Sequence, residues 1–429
     1  MARGLHHSID FTTVAQDSQL ASQEPRSQSP PIPRAAATTA ARTANVLRGR
    51  DIVCFSHDWT GDPLSKTHFM RLLAQDNRVL WVNSLGVRPP SASRADLKRA
   101  IQKLLAATRR IASPEPNIFV LSPIAIPIYN RPVVSRLNRV LLRFQVRRAM
   151  RRLGFERPVN WVFIPAAAVV ARQLGEEHLI YHCVDEYAAF TGVSAGSIEA
   201  FEDILLAKAD LVVVSAERLL ESRRRRNPDT VLVRHGVDFE HFRRALDPAT
   251  RIPADLAALP HPVLGFFGIV ADWVDVDLLK RLAEHFSHGS LVLIGKTSTD
   301  VTELAALPNV YFLGRKPYAD LPAYCRGFDV ALNPFRINEL TLNANPLKVR
   351  EYLAAGLPVV STPIPEVAAL GLCRIANGPE ETIRAVEAAL ADPGPSAARS
   401  DKIRSESWAA RLEEVRGHLA AVLERRATR

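Results

Sequence analysis

Short apolar runs of strand length recur along the chain from residue 51 onwards, and segments with helical spacing of apolar residues separate most of them. Buried strands that alternate with helices in this way are typical of a parallel sheet covered by helices on both faces. The first series of runs is DIVCF (51–55), RVLWVN (78–83), NIFVLS (117–122), VNWVFIP (159–165), HLIYHCV (178–184), DLVVVS (210–215) and TVLV (230–233).

The pattern starts again after a connection interrupted by prolines at 248, 253, 260 and 262. The second series is VLGFFGIV (263–270), SLVLIG (290–295), VYFLG (310–314), DVALNPF (329–335) and PVVST (358–362). The sequence therefore predicts an α/β protein with two doubly wound, Rossmann-like domains. Ligands of such sheets bind beyond the carboxyl ends of the strands, so the expected site is the cleft between the domains.

Length and composition agree with two domains. The chain has 429 residues, 47% hydrophobic and 23% charged, which suits two domains of roughly 150–200 residues. We predict a disordered tail at 1–45, an N-terminal domain at 46–240, a C-terminal domain at 241–402, and a final helix at 403–429 that packs back on the body. The tail is rich in Ser, Gln, Pro, Ala and Thr and has little periodic apolar content.

The chain shows no apolar stretch of the roughly 20 residues that a transmembrane helix needs, and no signal-peptide pattern near residue 1. Its four cysteines, at 54, 183, 325 and 373, form no CxxC pair, which indicates reduced core residues rather than metal ligands. These features favour a cytoplasmic protein.

The formal net charge of +10 is concentrated between residues 94 and 157. Two segments there combine basic residues with apolar residues at helical spacing: Leu97, Ile101, Leu104 and Leu105 in the first, and Val133, Leu137, Val140, Leu141 and Phe144 in the second. Basic amphipathic helices suit an anionic membrane surface. The alternative is two helices packed on a sheet with solvated arginines. Nucleic acid is not an expected partner, because the run lacks interleaved aromatics.

The segment NPLKVREYLAAG (345–356) places a lysine at the start of a predicted helix. With Asn345 as N-cap and Pro346 in the first helical position, Lys348 falls in the first turn, where a cation is unfavourable unless an anion lies beside it. A bound phosphate would supply that anion, and Glu351, one turn on, could accept hydrogen bonds from a ribose. The alternative is a solvated pair on a helix surface.

The order of RHGVDFEHF, VYFLGRKPYADLPAYCRGFDVALNPF and NPLKVREYLAAGLPVV strongly resembles the group 1 glycosyltransferases of the GT-B fold. It looks most like the bacterial teichuronic-acid and exopolysaccharide glycosyltransferases, with some likeness to the xanthan glucuronosyltransferase. The resemblance covers the chain from about Asp51. It implies an enzyme that moves a sugar from a nucleoside diphosphate sugar, UDP-linked, to a lipid-linked or glycan acceptor on the inner face of the plasma membrane.

By this resemblance, Lys348 contacts the diphosphate of the donor and Glu351 binds its ribose. Asn343 stands where the family usually has a second acid, and an amide cannot supply its negative charge. The Arg and Lys common after the first strand of the C-terminal domain are missing, although Gly268 still permits a tight turn near a ligand. Diphosphate neutralisation would rest on Lys348, helped by Lys296 or Arg315.

Asp185 and Glu186 follow a strand of the N-terminal domain and face the predicted cleft. Direct displacement needs a general base near the acceptor hydroxyl, and a carboxylate with a raised pKa can act as one. The similar position in the xanthan enzyme carries an aspartate, so Asp185 is the preferred base. The alternative is that either acid caps the next helix.

The segment after the first strand offers further polar side chains to an acceptor, although a single histidine there is more often structural than catalytic. These candidate acceptor-binding residues are His57, Asp58, Lys66 and His68.

Asp275 and Asp277 form a DxD pattern, which holds a divalent metal in the other major glycosyltransferase fold. Here it opens a predicted helix, where acids are expected, so no metal cofactor is predicted. Two alternative functions remain open, a sugar-nucleotide 2-epimerase on a similar fold and a non-catalytic nucleotide-sugar binding protein. The family at large retains anomeric configuration, whereas a base at Asp185 implies inversion, so the stereochemical outcome also remains open.

Overall fold

The computed structural model describes residues 46–84, 111–124 and 132–428. These residues belong to one compact unit. The predicted tail at 1–45 and the basic segment with Leu97, Ile101, Leu104 and Leu105 lie outside the described residues. Among the described helices, none is long and apolar enough to cross a bilayer.

Eight strands form the first sheet, in the order β3-β4-β2-β1-β5-β6-β7-β8, and every pairing except the antiparallel β3–β4 is parallel. The strands are β1 Asp51–Phe55, β2 Arg78–Val82, β3 Ala112–Glu115, β4 Ile118–Leu121, β5 Val159–Val162, β6 His178–Cys183, β7 Leu211–Val214 and β8 Thr230–Leu232.

Six parallel strands form the second sheet, in the order β11-β10-β9-β12-β13-β14. They are β9 Val263–Phe267, β10 Ser290–Ile294, β11 Val310–Gly314, β12 Val330–Asn333, β13 Val359–Ser361 and β14 Arg374–Ile375. We call residues 46–232 with the first sheet the N-terminal half, and residues 233–404 with the second sheet the C-terminal half. The predicted domain boundary at 240/241 lies between β8 and β9, and Val237 and Phe239 already pack in the core of the second sheet.

The helices cover both sheets. They are α1 Ser65–Leu73, α2 Pro132–Leu153, α3 Ala195–Lys208, α4 Glu217–Arg224, α5 Phe239–Arg243, α6 Ala254–Ala257, α7 Val276–His285, α8 Thr302–Ala305, α9 Leu321–Arg326, α10 Glu339–Leu342, α11 Leu347–Ala354, α12 Pro365–Ala368, α13 Pro379–Ala389, α14 Ala397–Asp401 and α15 Trp408–Ala427.

Local sequence explains several helix starts. Asp275 is the N-cap of α7, and its side chain accepts a hydrogen bond from the Leu278 backbone N–H at 3.1 Å. The DxD pattern therefore opens a helix, as predicted, and its second acid, Asp277, pairs with Arg336 at 3.3 Å. Asn338 and Thr341 form a reciprocal capping box on α10.

Continuous apolar strands bury the two sheets. Strands such as β1, β5, β9 and β10 are almost wholly buried, because helices cover both faces of a parallel sheet. The last helix, α15, packs on one face of the first sheet. It does so through the residues whose helical spacing predicted a packed face: Trp408, Leu412, Val415, Leu419 and Val422.

Two short edge strands were not predicted from the sequence. β3 reads ASPE, and a proline with polar neighbours gives no strand pattern. It pairs antiparallel on the edge of the first sheet, where a proline is tolerated. β14 has only two residues, both exposed, so it has no apolar pattern to detect.

Candidate functional site

The candidate donor helix α11 begins one residue later than the sequence predicted. Pro346, rather than Asn345, occupies the N-cap position, and it makes no side-chain cap. The reason is that the Asn345 amide is already engaged. It donates to the Ser215 backbone oxygen at 2.8 Å and accepts from Arg350 at 2.5 Å. Asn345 therefore joins the donor helix to the end of β7 in the other half of the molecule.

Lys348 extends from the first turn of α11 into a half-buried position between two aromatic rings. Its Nζ lies 4.7 Å from the ring centre of Phe266 and 4.3 Å from that of Phe335. Burial lowers the pKa of Lys348 to about 8, and the nearby Glu351 opposes that shift. Within the described residues its ammonium has no hydrogen-bond or ion-pair partner. The group is thus a desolvated cation available to an anionic ligand.

Gly268 lies against Lys348 at the carboxyl end of β9. It has φ +135°, and a Cβ built there would lie 3.0 Å from Cε of Lys348 and 3.1 Å from its Nζ. Gly295, after β10, approaches even more closely, because a Cβ on it would lie 1.9 Å from the Gly268 oxygen. Gly268 thus brings the β9 backbone against the lysine, and Gly295 allows the backbone after β10 to pack closely on Gly268.

Glu351 lies one turn beyond Lys348 on the same face of α11. Burial raises its pKa to about 8, Lys348 opposes that rise, and the charges of Asp238 and Asp62 add to it. Its carboxyl group, like the Lys348 ammonium, makes no hydrogen bond to any residue that the structure describes. The structure thus brings Gly268, Lys348 and Glu351 together beyond the carboxyl ends of the second sheet.

The remaining predicted donor residues lie in different settings. Lys296 is exposed just after β10, with no described partner for its side chain. Arg315, just after β11, is exposed and pairs with Asp62 of the N-terminal half at 3.0 Å. Asn343 is buried at the end of α10, and its amide donates to the Glu339 backbone at 2.8 Å and carboxylate at 2.9 Å. The Asn343 amide is therefore engaged within its own helix.

Asp185 lies at the end of β6, half-buried, with no described hydrogen-bond partner for its carboxyl group. Burial raises its pKa to about 7, the Lys66 charge opposes that rise, and Glu186 adds to it. Lys66, at the start of α1, is 7% exposed, and burial lowers its pKa to about 8 while Asp185 opposes the change. Lys66 also contacts the His57 ring nitrogen Nδ1. Asp185, Lys66 and His57 therefore form one cluster.

Glu186 is not a free carboxylate. Arg223 grips it with two hydrogen bonds, of 2.6 and 2.8 Å, and the same guanidinium binds the buried Glu202 at 2.9 Å. This finding corrects the expectation that Glu186 shares the catalytic role, because a carboxylate held by a bidentate arginine is a poor base. Neither acid caps a helix through its side chain, although Glu186 occupies the N-cap position of a short 3-10 helix at Tyr187–Ala189.

Asp58 and His68 make their contacts with residues other than Asp185, Lys66 and His57. The Asp58 carboxylate accepts a hydrogen bond from the Ser84 backbone at 3.2 Å. His68 stacks on Trp408 of α15, with ring centres 5.2 Å apart and planes 8° from parallel. Burial lowers the pKa of His68 to about 4. We therefore interpret His68 as a packing residue rather than as an acceptor ligand.

Sequence reasoning missed several residues that shape the cleft. Asp62 pairs with Arg315 across it, and Thr191 donates to Asp272 from the opposite half.

Arg223 was also missed. It comes from the run RRRR at 223–226, in which no pattern distinguishes one arginine from the next. The signal for Arg223 was available only from its helical position, because on α4 it shares a face with the buried Leu219 and Leu220.

Part of the C-terminal half is similar to a known family. Residues 261–392 match the family described as Glycosyl transferases group 1. A protein of Bacillus subtilis (strain 168) named as a teichuronic acid biosynthesis glycosyltransferase, TuaH, is 26% identical over 226 residues, which is 49% of this chain and 56% of that protein. The match thus spans just over half the length of this relative.

Solved structures with this architecture include sucrose-phosphate synthase from Thermosynechococcus elongatus. It has 14% identity and a TM-score of 0.61, with 88% of this chain and 99% of that chain covered. Another is Anabaena HepE in complex with UDP-glucose, with 14% identity, a TM-score of 0.54, and 88% and 98% covered. These neighbours have the GT-B architecture, so this chain shares the GT-B fold, and its residues 261–392 are similar to the group 1 glycosyltransferases.

Proposed function

We propose that the protein transfers a sugar from a nucleoside diphosphate sugar, UDP-linked, to a hydroxyl group of a lipid-linked or polysaccharide acceptor in bacterial surface glycan synthesis. The group 1 domain and the GT-B fold support the reaction class. The teichuronic acid name of the relative supports a surface glycan, and the UDP-glucose bound to HepE supports a uridine donor. Lipid-linked acceptors of this kind would place the protein at the cytoplasmic face of the membrane.

The observation that carries the proposal is the pair formed by Lys348 and Glu351. Both side chains are half-buried. Burial lowers the pKa of Lys348 and raises that of Glu351, so it favours the neutral form of each, and neither group has a described hydrogen-bond partner. An isolated structural lysine in such a place is costly, because burial of an unpaired charge is unfavourable. A diphosphate beside Lys348 and a ribose beside Glu351 would provide the missing partners.

Asp185 would act as the general base on the acceptor. As the acceptor oxygen bonds to the anomeric carbon, its proton would pass to the Asp185 carboxylate, and the bond from that carbon to the diphosphate would break. The electron pair would leave on the diphosphate, where Lys348 neutralises the growing charge. Direct displacement of this kind inverts the anomeric configuration. Lys348 supplies the positive charge that the leaving group needs, so the proposal includes no metal cofactor.

Lys66 and His57 would line the acceptor side of the same cleft. The Lys66 ammonium can only donate, so it donates to His57 Nδ1 and leaves the proton of a neutral imidazole on Nε2. Burial lowers the pKa of His57 to about 3, which keeps the ring neutral at physiological pH. The exposed edge of His57 therefore presents an N–H donor to an acceptor, and Asp185 remains the base.

Isothermal titration with UDP, ADP and GDP, followed by a screen of UDP-sugars for UDP release, tests this function. Binding of UDP with acceptor-dependent release of UDP is the expected result, and it should persist in EDTA. Proton NMR of the product anomeric centre reads the configuration directly. UDP binding without sugar transfer would indicate a binding protein, and reversible isomerisation of the sugar would indicate an epimerase. Either outcome would contradict the proposal.

A further inference from the structure

Helix α2 carries an apolar stripe on its solvent side. Val133, Leu137, Val140 and Phe144 are 76%, 51%, 65% and 56% exposed. Their spacing of four, three and four residues places them along one face of the helix. The opposite face is buried in the first sheet's core through Leu142, Val146, Ala149 and Met150. The helix is therefore anchored to the body on one side and presents a second, uncovered apolar side. We call Val133, Leu137, Val140 and Phe144 the α2 stripe.

Arginines flank the α2 stripe on the same exposed side. The helix contains seven arginines and no acidic residue: Arg136, Arg139, Arg143, Arg147, Arg148, Arg151 and Arg152. None of these seven forms an ion pair with another residue in the part of the chain that the structure describes. Arginines elsewhere in the described chain pair often, as Arg71 does with Glu115 and Arg78 with Asp51. Within residues 46–84, 111–124 and 132–428, no acidic side chain neutralises the charge on α2.

A further apolar side chain lies beside this helix. Gln145 holds the backbone of Ile124 through two hydrogen bonds of 2.9 Å, one donated by the Ile124 N–H and one accepted by its oxygen. Ile124 is 44% exposed, so an exposed apolar side chain lies on the segment that Gln145 holds. Two hydrogen bonds therefore fix the segment at Ile124 to α2, so this apolar side chain has a defined place beside the helix.

We propose that the α2 stripe and its arginines form a docking surface for an anionic phospholipid bilayer, with α2 lying in the plane of the interface. An apolar stripe enters the acyl boundary while the flanking guanidinium groups contact lipid phosphates, and this combination is what a helix at a membrane interface requires. A second copy of the chain fits less well, because two such helices would bring fourteen arginines together. Nucleic acid would leave the apolar stripe without a partner.

The sheet topology indicates which edge of the first sheet would face the bilayer. The helix follows β4 and leads into β5, and both strands run parallel to β1. Its first turn therefore lies towards the carboxyl ends of the strands, the edge at which Asp185 follows β6. On the proposed function, on which this step rests, a bilayer against α2 would lie beside the acceptor half of the cleft. A lipid-linked acceptor could then reach the base from the membrane.

Vesicle co-sedimentation of the full chain tests the surface. Vesicles of phosphatidylglycerol and phosphatidylcholine should bind the protein, vesicles of phosphatidylcholine alone should bind it at least tenfold more weakly, and 0.5 M salt should weaken the binding. Leu137→Ser/Phe144→Ser and Arg139→Gln/Arg143→Gln should each lower binding to the anionic vesicles at least fivefold. Matched changes of exposed residues on the second half, Ile252→Ser/Ile375→Ser and Arg281→Gln/Arg384→Gln, should change it less than twofold.

Three results would overturn the docking surface. The first is a parent protein that does not bind anionic vesicles. The second is a serine variant that binds as the parent does, because that is the response of electrostatic adsorption alone. The third is a dimer in lipid-free solution that Leu137→Ser/Phe144→Ser separates, which would assign the stripe to a second copy. Calorimetry with UDP on the same variants keeps the two proposals separate: vesicle binding without nucleotide binding would remove the transferase and leave the surface in place.

Discussion

Lys348 and Glu351 lie on one face of α11 with opposite charges, yet no ion pair or hydrogen bond joins them in the described structure. Each influences the pKa of the other, so they are close, and neither charged group has a hydrogen-bond partner among the described residues. Two opposite charges that stay apart in a half-buried place suit a ligand that contacts both.

Lys348→Met and Glu351→Gln should each weaken UDP binding. A hydrogen bond to a charged group contributes about 1.5–3 kcal/mol, which corresponds to roughly 10- to 150-fold in Kd. Methionine keeps the apolar stem between Phe266 and Phe335 and removes a buried unpaired charge, so Lys348→Met should leave the free energy of unfolding unchanged or raise it. Calorimetry and thermal unfolding measure the two quantities. Lys402→Ala, at an exposed lysine, is the control, and parent-like binding by both site variants would show that the site is misplaced.

Asp185→Asn should lower kcat by about 10²- to 10⁴-fold, the usual contribution of a general base, with UDP affinity unchanged. Glu186→Gln should retain most activity, because the Glu186 carboxylate is held by Arg223 and does not reach the acceptor. The parent's kcat should rise with pH through about 7 as Asp185 loses its proton. Equal losses in the two variants would argue against Asp185 as the base.

Arg223→Met should destabilise the fold. The substitution leaves Glu202, which is 5% exposed, and Glu186 without their cationic partner. Breaking a buried pair in this way costs about 3–5 kcal/mol. Urea unfolding at neutral pH measures the loss. Arg226→Met provides a matched control, because Arg226 pairs with Asp203 on the surface with both side chains at least half exposed, and such pairs contribute about 0–1 kcal/mol.

Glu351 should contribute a fall in the free energy of unfolding as pH rises from about 4.5 to 8, and histidines such as His57 and His68, whose pKa values burial lowers, act in the opposite direction below about pH 6.5. Glu351 has a pKa of about 8 in the folded state against 4.5 in the unfolded chain, so the folded state binds more protons in this window. The slope from one such group is at most about −1.4 kcal/mol per pH unit. Asp185 acts in the same direction up to about pH 7.

The two lysines have the opposite effect at higher pH. Lys348 and Lys66 have pKa values of about 8 against 10.5 unfolded, so they bind fewer protons in the folded state and contribute a rise in stability between about pH 8 and 10.5. The buried cysteines, whose pKa values burial raises, oppose this rise above about pH 9. Urea unfolding of the parent and Glu351→Gln across pH 5–10 checks both limbs. A parent slope between pH 5 and 8 that Glu351→Gln leaves unchanged would contradict this assignment.

Asp62→Asn should raise UDP affinity modestly at low salt, by about two- to fivefold, if Arg315 contributes to the diphosphate site. The Arg315 side chain is 64% exposed and that of Asp62 is 46% exposed. An exposed ion pair contributes only about 0–1 kcal/mol, and salt screens it. Removing Asp62 frees the guanidinium for the ligand. Arg315→Gln should lower affinity instead. Titrations at 50 and 500 mM salt measure both effects, and unchanged affinity in both variants would place Arg315 outside the site.

Much of this fold could be predicted from the sequence, because its strands are continuous apolar runs. β1 and β9 are recognisable from their composition alone, since burial on both faces of a parallel sheet demands it. β3 could not be predicted, since pairing with β4 at the sheet edge, rather than an apolar pattern, makes it a strand.

The candidate site was predicted in part for a similar reason. Lys348 stands out because a cation in a first helical turn conflicts with the helix dipole. The role of Asn345 was misread, because helix capping is a local rule and its actual partner, Ser215, lies 130 residues away. The engagement of Glu186 by Arg223 is likewise a long-range contact that local pattern does not encode.

The hydrogen bond from Asn345 to the Ser215 oxygen has a mechanical consequence. It ties the donor helix to the acceptor half at a buried point, while the exposed pair of Asp62 and Arg315 spans the cleft with little energy. The Glu217 backbone N–H of the N-terminal half also donates to the buried Glu366 of the C-terminal half at 2.7 Å. A swing of one half against the other that preserves the buried ties would therefore turn near Asn345 and Glu366. The cleft would then open on the side where Asp62 and Arg315 lie, and the product would leave from that side.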